Sequence, residues 1–201
     1  MKIILCLISA VMLFGCATSP PKNPGDICSI FEEKPDWYRE ANSSYRKWKI
    51  PIPVMMAIVY QESRFQSDAL PPRTKLLGFI PWSRPSTAYG YGQALESTWE
   101  VYIRSTGHPG ADRDDFSDVM DFIGWYCARS HRECRISRRD AYNLYLAYHE
   151  GQNGFNSRTY RGKSWLMAVA RKVKKRATLY SAQLTRCRGK LDKKKRFLGI
   201  F

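Results

Sequence analysis

Acidic residues and histidines are scarce in this sequence. The 18 Asp and Glu residues stand against 33 Lys and Arg residues, which gives a formal net charge of +15 at pH 7. A chain this basic is expected to bind anions. The three histidines, His108, His131 and His149, show no ligand spacing with Asp, Glu or Cys, so the sequence predicts no metal site and no other cofactor.

Long apolar runs are also rare. The uncharged run from Ile3 to Phe14 would span about 18 Å as a helix, well short of the ~30 Å hydrocarbon core of a membrane. No transmembrane helix is predicted after it. Lys2 before the run and small residues after it are typical of a secretory signal, so we expect residues 1–15 to be removed on export.

A cysteine follows the predicted signal. The boundary from Leu13 to Cys16 resembles the lipobox of bacterial lipoproteins, in which the cysteine becomes the acylated first residue of the mature chain. Alternatively, Cys16 stands by chance beside an ordinary cleavage site. Because no aspartate occupies the next position, we expect an outer-membrane anchor facing the periplasm, with residues 16–27 as a tether. Export shifts the expected anionic partner from nucleic acid to an envelope polymer or a membrane surface.

Strand-like alternation is nowhere sustained and the sequence shows no internal repeat, which predicts an all-α fold. We expect one domain over residues 28–188, followed by a basic C-terminal tail over residues 189–201. Residues 67–91 are rich in proline and predict a long ordered loop. The apolar periodicity predicts helices over residues 36–49, 53–65, 92–106, about 119–130 and about 163–187. Ser137 with Asp140 three residues later is a capping signal for a further helix that runs to Tyr148.

Four cysteines remain once those of the signal and the anchor are set aside. In an oxidising compartment they predict two disulfides, and three pairings are open. We favour Cys28 with Cys187, which would join the two ends of the domain, and Cys127 with Cys134. The second pair requires a helix end near residue 130, because cysteines seven positions apart in one unbroken helix have Cα atoms about 10 Å apart.

A carboxylate continues the apolar face of the second predicted helix. That face consists of Met55, Ile58, Val59, Glu62 and Phe65. A glutamate that faces a protein interior loses solvation, which penalises its charged form and raises its pKa toward the range of a proton donor. Glu62 is thus a candidate general acid. The alternative is a solvated helix end or an ion pair with an arginine.

Three segments combine polar or aromatic residues with glycines near predicted helix ends: YQESRF at 60–65, STAYGYGQA at 86–94 and LAYHEGQNGF at 146–155. In the second, Gly90 and Gly92 would let the backbone approach a ligand closely. In the third, Tyr148 could place its hydroxyl in the same cleft. Taken singly, the glycines also fit a plain turn, and Tyr148 also fits a core aromatic residue.

These segments resemble the motifs of the SLT-type lytic transglycosylases, whose fold is shared with goose-type lysozymes. In that family a helix ends in a catalytic glutamate followed by a serine and an aromatic residue, as in ESRF at 62–65. A second motif runs from serine through alanine and glycine to glutamine, and a third contains alanine, tyrosine and glycine. The matching residues here are Ser86, Ala88, Gly90, Gln93, Ala147, Tyr148 and Gly151. The motifs keep the family's order, and the resemblance covers about residues 50–180.

The resemblance implies a lysozyme-like domain that cleaves peptidoglycan between N-acetylmuramic acid and N-acetylglucosamine and leaves a 1,6-anhydro end. Glu62 would act as general acid and then as base. The residues expected to bind substrate or orient the glutamate are Ser86, Tyr91, Gln93, Tyr148 and Glu150. Alternatives are a lysozyme-like hydrolase and a non-catalytic peptidoglycan-binding lipoprotein, and envelope or secretion machinery is a further candidate partner.

The sequence also departs from the family pattern. The gap of 24 positions between Glu62 and Ser86 is longer than usual, so the proline-rich loop is expected to border the cleft as a wall or lid. Tyr91 stands where leucine is usual. Glu150 stands where the family has alanine, and it is either a second catalytic carboxylate or a surface charge at a helix end.

Overall fold

Seven α-helices make up most of the part of the chain that the structure describes. The computed structural model describes residues 19–73, 75–76, 80–81 and 86–197. The predicted signal peptide, the predicted lipidation site Cys16, parts of the proline-rich loop and the last residues of the predicted tail lie outside the described residues. Within the described ranges, no helix is long and apolar enough to cross a membrane.

The prediction of an all-α fold is confirmed. The helices are α1 (Ile27–Glu33), α2 (Pro35–Trp48), α3 (Ile52–Ser63), α4 (Glu96–Thr106), α5 (Phe116–Cys134), α6 (Ala141–Asn156) and α7 (Ser164–Phe197). Thr159–Gly162 forms a short 3-10 helix, and β1 (Lys75–Leu76) pairs antiparallel with β2 (Ile80–Pro81) inside the proline-rich loop. The sequence pattern missed α1 and placed the start of α4 too early.

Helix α3 lies at the centre of the core. Its residues from Ile52 to Val59 are all buried, and the helix packs against α2, α5 and α7. A helix that is apolar on every side is typical of such a central position. Side chains in the last turn of α3 are therefore held by a rigid element.

Aspartates cap two of the helices that pack around α3. The Asp115 carboxylate accepts a hydrogen bond from a first-turn N–H of α5 at 3.0 Å, and Asp140 does the same for α6 at 3.2 Å. Helix α6 continues through the predicted stop at Gly151, which has φ 74° and ψ 164° and kinks the helix. Helix α7 continues past position 188 to Phe197.

One predicted disulfide is confirmed. Cys28 on α1 and Cys187 on α7 are bonded, with Cα atoms 6.0 Å apart. The bond joins residues 159 positions apart, and closing a loop of that size stabilises a protein by about 5 kcal/mol in the chain-entropy model. The N–H of Ile27 also donates to Oε1 of Gln183 at 3.0 Å. The N-terminal end of the domain is thus fixed to α7.

The second predicted disulfide, between Cys127 and Cys134, is wrong. Both residues are free thiols. The condition for the bond is not met, because α5 continues to Cys134 instead of ending near residue 130. Seven residues of unbroken helix hold the two Cα atoms about 10 Å apart, beyond the reach of a disulfide.

Candidate active site

Glu62 lies in the last turn of α3, where the chain turns back sharply. After Ser63, both Arg64 and Phe65 have left-handed backbone conformations, with φ 52° and 67°. The Ser63 hydroxyl closes this turn, since it donates to the carbonyl oxygen of Val59 at 3.2 Å and accepts from the N–H of Phe65 at 3.1 Å. The Phe65 ring is fully buried. The turn therefore holds Glu62 at the edge of the core.

The surroundings of Glu62 favour its protonated form. Although the residue is partly exposed, burial raises the pKa of its carboxyl to about 7, and a hydrogen bond with the Tyr145 hydroxyl opposes that rise. Among the described residues, Glu62 takes part in no ion pair. The direction of the pKa shift thus agrees with the place of Glu62 on an apolar face.

Two tyrosines of α6 stand beside Glu62. Burial is the largest cause of the raised pKa of both Tyr145 and Tyr148, and the charge of Glu62 adds to it. Both hydroxyls therefore keep their protons at neutral pH and can donate hydrogen bonds. The Tyr148 hydroxyl donates to the carbonyl oxygen of Gly92 at 2.6 Å, and its ring packs edge-on against Tyr126. Tyr148 thus links the surroundings of Glu62 to the loop before α4.

The loop before α4 approaches α6 closely because of its glycines. Gly90 has φ 75°, and a Cβ there would lie 1.9 Å from the carbonyl oxygen of Arg113. A Cβ on Gly92 would lie 3.1 Å from the Tyr148 hydroxyl. Packing within the protein therefore already requires small residues at both positions.

The Gln93 side chain anchors the base of the proline-rich loop. Its Nε2 donates to the carbonyl oxygens of Ala69 at 2.8 Å and of Gly90 at 3.0 Å. The N–H of Gly90 also donates to Ala69, at 2.9 Å. Gln93 is next in sequence to Gly92, whose carbonyl oxygen Tyr148 contacts. The predicted site residues Gln93 and Tyr148 therefore lie close together. The amide nitrogen of Gln93 holds the two ends of the loop together.

Two other predicted binding residues have different surroundings. Ser86 is exposed, and its hydroxyl oxygen accepts a hydrogen bond from the N–H of Ala88 at 3.4 Å. Tyr91 is 1% exposed, and its ring packs edge-on against Trp37 and Phe116. Tyr91 is therefore placed as a core residue. A substrate contact by either side chain stays a prediction.

Glu150 is an ion-paired carboxylate at the kink of α6. Nζ of Lys163 lies 2.8 Å and 3.0 Å from its two oxygens, and the Thr159 hydroxyl also donates to it. Burial raises the pKa of Glu150, but hydrogen bonds from Lys163, Thr159 and His149 outweigh that effect and lower the pKa to about 2. Glu150 is therefore charged at neutral pH, and this geometry favours a fixed charge over a second proton donor.

Tyr145 is the neighbour of Glu62 that the sequence pattern did not single out. It lies within the helix predicted to run to Tyr148, but no motif included it. The sequence did contain a signal for Tyr145, because it lies three positions before Tyr148 and residues three apart on a helix lie on the same face. Tyr145 therefore points to the same side of α6 as Tyr148, which the motifs had selected.

Metal-binding side chains do not cluster in the described ranges. No group of three or more His, Cys, Asp and Glu residues there could hold a metal ion.

Comparison with models of protein families gives a match over most of the chain. The model described as a transglycosylase SLT domain matches residues 4–187. Searches of curated proteins and of solved structures found no match. The matched range includes Glu62, the loop before α4 and the tyrosines of α6.

Proposed function

Because this chain belongs to the transglycosylase SLT domain family, whose members are lytic transglycosylases acting on peptidoglycan in the cell envelope, we propose that Glu62 is its catalytic acid and base. The proposed reaction cleaves the β-1,4 bond between N-acetylmuramic acid and N-acetylglucosamine and leaves a 1,6-anhydromuramoyl end. One observation carries the proposal. The Glu62 carboxyl has a pKa of about 7 and lies at the end of the central helix beside two tyrosines.

The first step uses Glu62 in its protonated form. The proton passes from the carboxyl to the bridging oxygen as the bond between that oxygen and C1 of the muramoyl residue breaks. C1 then has oxocarbenium character, and the neighbouring N-acetyl group can stabilise the cation, as in substrate-assisted glycosidases. A pKa of about 7 keeps most of the Glu62 population protonated in mildly acidic solution.

The second step uses the carboxylate that the first step leaves. The Tyr145 hydroxyl stabilises this carboxylate through a hydrogen bond. Glu62 then takes the proton of the muramoyl 6-hydroxyl, and the oxygen of that hydroxyl bonds to C1. This bond closes the 1,6-anhydro ring and returns Glu62 to its protonated form. Water is not consumed.

Tyr148 and Gln93 are proposed as positioning residues. Their hydrogen bonds hold the backbone from Gly90 to Gln93 against α6 and against Ala69. A fixed loop at this point would shape the wall of the cleft beside Glu62. The proline-rich loop, which starts at Ala69 and ends at Gly90, is proposed to border the same cleft.

The envelope location is proposed in more detail from the N-terminal sequence. Acylation of Cys16 would hold the domain at the outer membrane, facing the periplasm. The tether would be shorter than the expected residues 16–27, because Pro24 and Ile27 are hydrogen-bonded to α7. The disulfide between Cys28 and Cys187 supports export, because such bonds persist in oxidising compartments. Mass spectrometry of the mature protein tests the anchor, and a full-length chain without an acyl group would rule it out.

The variant Glu62→Gln tests the catalytic role. Full-length protein is incubated with purified sacculi, and the soluble muropeptides are identified by mass spectrometry. We expect Glu62→Gln to release at least about 10²-fold less than wild type, because an amide cannot transfer the proton. Wild-type products should carry the anhydro end. Products heavier by one water would instead identify a lysozyme-like hydrolase.

The variant Glu40→Gln is the matched control. Glu40 on α2 also has a pKa raised to about 7, by burial first and then by the charge of Asp115. It lies outside the proposed site, so Glu40→Gln should release muropeptides as wild type does. Release by Glu62→Gln at the wild-type rate would refute the proposal. Binding of sacculi without any release by wild type would favour the non-catalytic alternative.

A further inference from the structure

A groove lies toward the opposite end of α3 from Glu62. It has a volume of about 860 Å³ and is formed by the start of α3, the start of α6 and one face of α7. Val54 lines it, and eight residues of helix place Glu62 about 12 Å farther along α3. The charged residues that line this basic groove are Lys49, Arg138, Arg139, Asp140, Lys174 and Arg188.

The basic groove carries positive charge that its own carboxylate does not neutralise. Five of its six charged side chains are cations. Asp140 is already occupied as the cap of α6, where it accepts from the N–H and the side-chain amide of Asn143 at 3.2 Å and 2.6 Å. Lys49, Arg139 and Lys174 are exposed, and no described residue forms an ion pair with them. Carboxylates are the complement of such a surface.

The floor of the basic groove admits an extended chain. Between its charged ends, α7 lines the groove with small side chains and one leucine: Ala177, Thr178, Ser181, Ala182, Leu184 and Thr185. Small side chains let a bound chain lie close to the helix. Lys174 and Arg188, near its two ends, are about 21 Å apart along α7, which is the length of about six extended residues. These dimensions fit a short peptide.

The basic groove faces away from the N-terminal end of the domain. Tyr180 and Gln183 hold that end, since the Tyr180 hydroxyl donates to the carbonyl oxygen of Pro24 and Gln183 accepts from the N–H of Ile27. Ser181 and Thr185 each lie two positions from Gln183 and therefore point about 200° around α7 from it. The basic groove and the N-terminal end of the domain therefore lie on opposite sides of α7.

We propose that the basic groove binds the carboxylate-bearing stem peptides of peptidoglycan. The inference rests on the proposed function, because the polymer whose glycan would lie at Glu62 also carries these peptides. Val54 at the basic groove lies about 12 Å from Glu62 along α3, so a glycan at Glu62 and a peptide in the groove would contact the domain at two separate places. The basic groove would thus hold the substrate at a second point.

Charge reversal in the Glu62→Gln background tests the groove, since this variant leaves the glycan uncut during the assay. The groove variant combines Lys49→Glu, Arg139→Glu and Lys174→Glu. The control variant combines Lys172→Glu, Lys175→Glu and Arg186→Glu, three exposed cations of α7 that do not line the groove. Both variants change the net charge equally, so general attraction to an anionic polymer falls by the same amount.

Three probes identify the occupant. They are intact sacculi, sacculi whose stem peptides an amidase has removed, and vesicles of anionic phospholipid. Because the groove variant loses three exposed ion pairs, each of which stabilises binding modestly, it should bind intact sacculi at least about threefold more weakly than the control variant. Both variants should bind the stripped glycan equally.

Three outcomes would overturn the inference. The two variants could bind intact sacculi equally, the loss could persist on stripped glycan, or the loss could be confined to vesicles. Circular dichroism checks the folding of both variants. If the groove variant does not fold, Lys174→Glu alone is compared with Lys172→Glu alone, with the same expected direction.

The binding assay separates this inference from the proposed reaction. It uses inactive protein, so its result does not depend on catalysis. A wild-type protein that releases no muropeptides while the groove effect is present would refute the proposed reaction alone. Normal release without a groove effect would refute the groove inference alone.

Discussion

Removing the Glu62 carboxyl should stabilise the protein at alkaline pH and leave its stability unchanged at acidic pH. The pKa of Glu62 is about 7 in the folded protein and lies near its ordinary value of 4.5 in the unfolded chain. Below both values each state holds the proton, and the carboxyl does not affect the equilibrium. As the pH rises from 4.5 to 7, the unfolded chain loses its proton first, so wild type loses stability. Glu62→Gln does not titrate and avoids this loss.

The size of the effect follows from the pKa difference. A difference of about 2.5 units corresponds to about 3.4 kcal/mol at about 1.36 kcal/mol per unit. Because Glu62 is partly exposed, solvent screening reduces this value, and we expect a gain of about 2 kcal/mol for Glu62→Gln relative to wild type at pH 8. For a chain of this size, that gain corresponds to about 4–8 °C in melting temperature.

Urea unfolding at several pH values from 4.5 to 8 measures this effect. The midpoint and the slope of each transition give the free energy of unfolding of both proteins. Glu100→Gln is the control, because Glu100 lies on the surface of α4 and pairs only at the surface with Arg104, so its curve should follow wild type. If plots of the free energy of unfolding against pH run parallel for wild type and Glu62→Gln over this range, the Glu62 carboxyl is solvated and is not a buried acid.

Three further predictions concern the site and its supports. The rate of muropeptide release by wild type should fall on the alkaline side of its pH profile near the pKa of Glu62, about 7. The variant Tyr145→Phe should move that fall to higher pH, because it removes a hydrogen bond that lowers the pKa of Glu62. A flat wild-type profile from pH 4 to 9, or an unmoved fall in Tyr145→Phe, would contradict these roles. Gly90→Ala should lower the free energy of unfolding by more than about 1 kcal/mol, because its φ of 75° and the nearby Arg113 carbonyl oxygen both oppose a side chain. Unchanged stability would contradict the described turn. Peptide mapping after alkylation without reduction should find both cysteines of α5 alkylated, and a disulfide-linked peptide would reinstate the bond between them.

The helix that carries Glu62 could be predicted because its signals are local. The apolar face from Met55 to Phe65 repeats with the helical period, and a proline marks the first turn. The same face predicted that Glu62 would be desolvated, since any residue on it points toward the core. A capping signal near the start of α6 was also visible in Ser137 and Asp140, but the structure places the cap at Asp140, three positions later than the Ser137 cap that the signal implies.

The end of α5 could not be predicted because it depends on contacts with other elements. The helix continues to Cys134, whose Sγ lies 3.7 Å from the carbonyl oxygen of Gln152 on α6. Farther back, the Ser130 hydroxyl accepts from the side-chain amide of Gln152 at 3.0 Å. Packing between α5 and α6 thus extends the helix beyond its apolar pattern, and this extension keeps the two cysteines apart.

The surroundings of individual motif residues could not be predicted from the sequence either. Tyr91 and Gln93 are two positions apart in one motif, yet the ring of Tyr91 is buried against Trp37, a residue from a distant part of the chain. Glu150 similarly has its charge fixed by Lys163, which follows after a kink that the sequence pattern had interpreted as a helix end. Motif spacing selected a region of the chain, whereas tertiary contacts decide which of its side chains are buried, ion-paired or exposed.

A raised pKa does not by itself identify a catalytic acid in this protein. Glu40 and Glu62 both have a pKa of about 7, with burial as the largest cause at each. At Glu40 the next cause is repulsion from Asp115, and that repulsion becomes stronger once Glu40 gives up its proton. At Glu62 the other contribution is a hydrogen bond with Tyr145, which stabilises the carboxylate as it forms. The charged form of Glu40 is also attracted by Arg39, but the repulsion from Asp115 is the larger effect, whereas the effect that accompanies burial at Glu62 is a hydrogen bond that stabilises the carboxylate. An acid that acts next as a base, as proposed for Glu62, needs such support for its charged form between the two steps.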